Sequence, residues 1–167
     1  MKFLRNYLLQ LALNKHRTEL SYKGWKNVST IQVLFDEPKN SMPLVNNLVK
    51  RLEAEGKKVQ VLHFKEEKKP KENSQRNTYY LSDVSYLGRP KKAVFSNYNQ
   101  NTDVLIDWTK SEISPNDFLS ANSNAGFKIG IDRSLACFDF TIKQNQMNAE
   151  QVTNEILKYL KMINHDD

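Results

Sequence analysis

Three aspartates each close a short apolar run: Asp36 after VLF, Asp107 after VLI and Asp132 after GI. A run of that kind reads as a buried strand whose carboxyl end meets a loop, and in open parallel sheets ligands lie outside those ends. Carboxylates converging there could hold a divalent ion or act as acid and base. Asp also follows strands for a structural reason, because its side chain caps and turns the chain. A second charged group is the turn Gly88-Arg89-Pro90-Lys91-Lys92. There Arg89, Lys91 and Lys92 could meet an anion, although a solvated loop accounts for them better.

Other chemistry has less to stand on. His16, His63 and His165 form no HxxxH, HxH or Cys/His pattern, so no zinc ligand set is spelled out. Cys137, the single cysteine, adjoins Phe138 and reads as a small buried thiol rather than a nucleophile. The sequence contains no GxSxG elbow, P-loop or GxGxxG. After the first strand it runs DEPKNSMP, without glycine and with two acids, which disfavours a phosphate cradle of the usual dinucleotide-binding kind. No catalytic residue, metal ligand or cofactor is assigned on these grounds.

The elements that would position these groups are legible from periodicity. Residues 2–15 read as a helix with Phe3, Leu4, Tyr7, Leu8, Leu11 and Ala12 on one face and Leu9 and Leu13 on the other, a pattern that suggests burial on more than one side. Residues 28–36 read as a strand. A helix follows, capped by Asn40 or Ser41, with Pro43 in its first turn and Val45, Leu48, Val49 and Leu52 inward. Gly56 stops it, and 57–64 is the next strand. This strand–helix–strand unit puts its two strands parallel. Residues 65–78 read as a charged loop and 79–81 as a short strand. Residues 82–87 read as one helical turn, followed after the 88–90 turn by a helix around Ala93–Tyr98. Strands are expected at 103–108, 127–132 and 138–143. A short helix is expected from Ser114-Pro115-Asn116-Asp117 to near Asn122, and a final helix over 148–163 with Val152, Ile156, Tyr159, Leu160 and Ile163 inward. The order implies an α/β fold: a three-layer, Rossmann-like, mostly parallel sheet with helices on both faces.

The 167 residues suit a single core, and a lone cysteine points to a reducing compartment, hence a soluble cytoplasmic protein. The longest early apolar stretch, Tyr7–Leu13, is too short to span a bilayer. The net charge of +6 is unevenly spread: residues 1–26 carry six basic side chains against Glu19, leaving the rest near neutral. A nucleic-acid partner would need a basic stripe on the fold itself, so none is expected. We therefore divide the chain into residues 1–27, an N-terminal amphipathic helix and connector, and 28–167, a single Rossmann-like domain. The cationic helix could touch a membrane surface, but packing on the domain or on a second subunit suits its apolar circumference better.

Taken together, VLFD at 33–36, EGKKVQVL at 55–62, YLGRPKK at 86–92, VLIDWT at 104–109, AGFKIG at 125–130 and YLKMIN at 159–164 resemble a small uncharacterised α/β family of Bacteroidota, a domain of unknown function. The resemblance implies a fold type and a cytoplasmic setting, and no catalytic residues. Locally, residues 103–132 look like the strand–helix–strand of the acceptor-side domain of heptosyltransferase-type glycosyltransferases, which fits shared architecture rather than shared function. Two functions follow as expectations. One is a non-catalytic binding or protein-interaction domain, with possible self-association through the N-terminal helix. The other is a binder or enzyme acting on a nucleotide or sugar phosphate at the Asp36, Asp107 and Asp132 edge.

Overall fold

A computed structural model describes residues 2–15, 21–36, 42–68, 77–98 and 101–163. Asn40 and Ser41, proposed as helix caps, lie outside them, as do His16 and His165. The strands are β1 (Thr30–Asp36), β2 (Lys58–Lys65), β3 (Thr78–Tyr80), β4 (Val104–Trp108), β5 (Phe127–Ile131) and β6 (Phe140–Ile142). The helices are α1 (Lys2–Lys15), α2 (Met42–Ala54), α3 (Lys92–Asn97), α4 (Asn116–Asn122) and α5 (Ala149–Met162). The sheet order is β3-β2-β1-β4-β5-β6, and every strand pairing within it is parallel. This is the doubly wound order, and its direction reverses between β1 and β4.

Alternation along the strands separates two faces. Ile31, Val33 and Phe35 of β1, Val104, Ile106 and Trp108 of β4, and Phe127, Ile129 and Ile131 of β5 face α2 and α5. There they pack with Val45, Leu48 and Leu52 of α2 and Val152, Ile156 and Leu160 of α5. α5 begins with a reciprocal cap in which Asn148 accepts from the Gln151 N–H and the Gln151 side chain accepts from Asn148. Tyr22 ties the connector to this layer, its hydroxyl donating to the Leu160 carbonyl at 2.5 Å. The opposite face buries Leu34, Leu62, Phe64 and Leu105 under α3 and α4. It also carries polar residues: Asp36 of β1, Asp107 of β4 and Lys128 of β5 alternate onto it and are buried there.

α1 docks on the outer side of α4. Arg5, Leu9 and Leu13 are buried against Phe118 and Ala121, with Leu8 and Ala12 half-buried. Phe3, Leu4, Tyr7 and Leu11 stand in water. One side of the helix is covered, not both. The reason is the ion pair made by Arg5, described below. Of the segment between β3 and β4, the 82–87 turn is a 3-10 turn at Leu81–Asp83, and a Val84–Pro90 bridge closes the loop ahead of α3. Among the described residues no helix is long and apolar enough to cross a membrane.

Candidate functional site

At the carboxyl edge of the sheet the loops after β2, β3 and β4 and the first turn of α1 enclose a cleft of about 490 Å³. This is where ligands sit in open parallel sheets, and the volume suits a small molecule. Its walls are mainly apolar: Phe64 from the end of β2, Leu81 and Val84 from the loop after β3, and Ile113 and Pro115 from the loop after β4. Ser85, Ser111 and Ser114 are the hydroxyl-bearing residues of its lining, and Lys2, Arg5 and Glu66 the charged ones.

The loop after β4 is held in place by the aspartates at the strand ends. Asp36 accepts the backbone N–H groups of Lys110 at 2.6 Å and Ser111 at 3.0 Å, folding this loop across the end of β1. Asp132, in the left-handed region at φ 55°, accepts the Gln144 N–H at 2.9 Å and pairs with the Lys110 ammonium at 3.4 Å. Lys110 also donates to the Gln144 side-chain oxygen. Asp36 and Asp132 are thus joined through one residue. Asp107 stands apart beneath α4, accepting from the Ser120 hydroxyl at 2.6 Å and the Thr109 N–H at 3.0 Å. None of the three lines the cleft. Among the described residues no three His, Cys, Asp or Glu side chains are arranged to hold a metal ion.

The basic turn is folded on itself. The Lys91 ammonium donates to the Ser82 carbonyl at 2.6 Å, and the Arg89 guanidinium lies over the Phe95 ring. Lys92 is exposed at the start of α3. The half-buried Cys137 thiol sits in the α1–α4 layer, and burial pushes its pKa up to about 12, which keeps it a thiol at neutral pH.

The back of the cleft is built on a group that sequence reading missed. Asp117 in the first turn of α4 pairs with Arg5 at 2.8 Å and with Arg133. Arg5 also donates to the Ser114 carbonyl at 2.8 Å and lies over the Phe118 ring, while Arg133 donates to the Ser111 carbonyl at 2.6 Å. Burial raises the Asp117 pKa, and Arg133 and Arg5 pull against that. The Arg5 side chain passes so close to Gly88 that a Cβ there would stand 3.0 Å from its Nε. The sequence carried one signal for this triad: Arg5, Leu9 and Leu13 recur at helical spacing, so an arginine lies on the same stripe as two leucines.

The six buried charged side chains among the described residues are Arg5, Asp36, Asp107, Asp117, Lys128 and Arg133, three of each sign. Buried charge is therefore balanced among the described residues. The chain belongs to DUF6913, a family of unknown function, whose model matches residues 2–163. Neither the curated proteins nor the solved structures contain a match to it.

Proposed function

We propose that this is a non-catalytic binding domain, and that its ligand is a neutral group with an apolar body held in the carboxyl-edge cleft. The observation that carries this reading is the cleft itself: a mainly apolar hollow at the ligand-binding edge of a doubly wound sheet. The balance of buried charge supports a neutral ligand over a nucleotide or sugar phosphate. At the back of the cleft an anion would need an unpaired cation, and Arg5 there is already held by Asp117. The single cysteine favours a cytoplasmic setting.

Nile red, a neutral dye that fluoresces in apolar surroundings, tests this. The expected result is saturable binding that Leu81→Asp and Ile113→Asp each weaken, with unchanged circular dichroism because both side chains are exposed. Adenosine diphosphate and glucose 1-phosphate are expected to leave the melting temperature where it is. No dye binding, or a rise in melting temperature with either phosphate compound, overturns the reading.

A further inference from the structure

Eight large hydrophobic side chains are exposed among the described residues, and seven belong to two places. Phe3, Leu4, Tyr7 and Leu11 form the outward stripe of α1; Leu81, Tyr86 and Ile113 form the lips of the cleft. The two places meet at the first turn of α1, where Lys2, next to Phe3, lines the cleft. Phe3 is 87% exposed, Tyr86 80% and Tyr7 55%. At about 200 Å² per aromatic side chain, these three rings alone leave roughly 450 Å² in water. The largest apolar patch on an ordinary monomer is about 300–600 Å² in all, and four aliphatic side chains are still to be added here.

Charge selects the occupant. α1 contains no acidic residue. Lys2 is exposed beside Phe3, and Arg89, Lys91 and Lys92 are exposed just beyond Tyr86; against these four cations the lips carry the exposed Glu66 and Glu112. Two separate elements thus present protruding aromatic rings flanked by cations. A second copy fits poorly, since pairing α1 with itself would oppose two helices whose only charges are positive. An anionic bilayer fits: the rings enter the boundary between headgroups and acyl chains, and the cations meet phosphate and carboxylate headgroups. The Arg5–Asp117 pair already holds α1 flat with its stripe outward, so docking does not require ordering the helix.

We infer that the outward face of α1, with the Tyr86–Lys92 lip, docks this protein on an anionic membrane surface. This docking stands whether or not the cleft holds a ligand. The test uses the full chain and vesicles of phosphatidylcholine with about 30% phosphatidylserine, in co-flotation at about 0.1 M salt. The protein is expected to float with these vesicles, at least about tenfold more weakly with phosphatidylcholine alone, and more weakly as salt rises. A Phe3→Ser/Tyr7→Ser variant is expected to lose at least about tenfold in partitioning with an unchanged melting temperature, because both side chains lie in water. No flotation, equal flotation with uncharged vesicles, or full flotation of the double variant overturns the proposal. So does a dimer in light scattering that Phe3→Ser/Tyr7→Ser dissociates without any vesicle binding, which would assign the face to a second copy.

Discussion

Replacing Asp117 by Ala tests the view that a buried carboxylate anchors α1. In the native protein its two oxygens serve Arg5 and Arg133 separately, and the side chain is only 3% exposed. Its loss leaves two buried guanidiniums facing each other without a counter-charge. It also removes the acceptor for the Ser114 N–H at the start of α4. Removing one member of a buried ion pair typically costs about 3–5 kcal/mol. A protein of this size unfolds with roughly 5–15 kcal/mol in hand, so the melting temperature should fall by roughly 6–20 °C. Arg5→Met is the informative partner. It keeps much of the apolar stem, and Asp117 retains Arg133, so the loss is the net value of the hydrogen bonds to Asp117 and the Ser114 carbonyl, about 1–3 kcal/mol. Urea unfolding of both variants and of the double variant gives the coupling. The reasoning fails if Asp117→Ala costs under about 1 kcal/mol, or if Arg5→Met costs as much as Asp117→Ala.

Three further outcomes follow from individual environments. Burial alone would raise the Asp103 pKa, but four hydrogen bonds from the backbone and hydroxyls of Ser29 and Thr30 outweigh it and hold the pKa at about 2. A folded pKa below the unfolded value of about 3.9 means stability that is fully present above that pH and lost as pH falls through about 2. Asp103→Asn should therefore cost about 1–2 kcal/mol above pH 4, with the gap closing towards pH 2; a gap independent of pH would contradict this. Gly130→Ala places a Cβ 2.7 Å from the Phe138 ring and 2.9 Å from the Arg133 Cβ, so calorimetry should show a loss of roughly 1–3 kcal/mol, and an unchanged melting temperature would count against the packing described. Cys137 should react with iodoacetamide at pH 8 far more slowly than in the urea-unfolded chain; equal rates would refute a buried, protonated thiol.

The strands and long helices were legible because their signal is local. β1, β2, β4 and β5 are runs of Val, Ile, Leu and Phe bounded by turn residues, and the strand–helix–Gly56–strand succession forces parallel pairing. α4 was legible from Ser114-Pro115 and Asp117, although the Ser114 hydroxyl accepts from Asn116 and Asp117 proved to be an ion-pair partner as well. The aspartates at strand ends were also legible as residues, but not their engagements. Nothing local says that Asp36 folds the loop after β4, 74 positions away, or that Asp107 faces a helix hydroxyl. The cleft was illegible for the same reason, since its walls come from four segments with no shared spacing. The apolar circumference of α1 suggests burial on more than one side, whereas one side is covered, because a periodicity argument counts apolar groups and gives an arginine no weight on the inward side.

The rotation of α1 is set by the two faces of the sheet. Among the described residues the face under α2 and α5 buries no Asp, Glu, Lys or Arg, so apolar stripes dominate the docking of those helices. The face under α4 carries Asp36, Asp107 and Lys128, and buried charges there must find partners in the layer above. α4 answers with Ser120 for Asp107 and a backbone carbonyl for Lys128. In bringing Asp117 into the same layer it creates a charge that Arg133 only half satisfies. Arg5 supplies the second guanidinium, and only one rotation of α1 delivers it. Turning α1 to bury Phe3, Leu4 and Tyr7 would gain about 1.5–3 kcal/mol for each side chain. It would forfeit a similar amount for each of Leu9 and Leu13, plus about 1–3 kcal/mol for the hydrogen bonds of Arg5, since Asp117 keeps Arg133. The two sums are close. Folding alone therefore tolerates the exposed stripe without rewarding it, and Phe3 and Tyr7 can be made polar without loss of stability. A surface that folding leaves free to be polar, yet is aromatic and flanked by cations, calls for a role outside the fold.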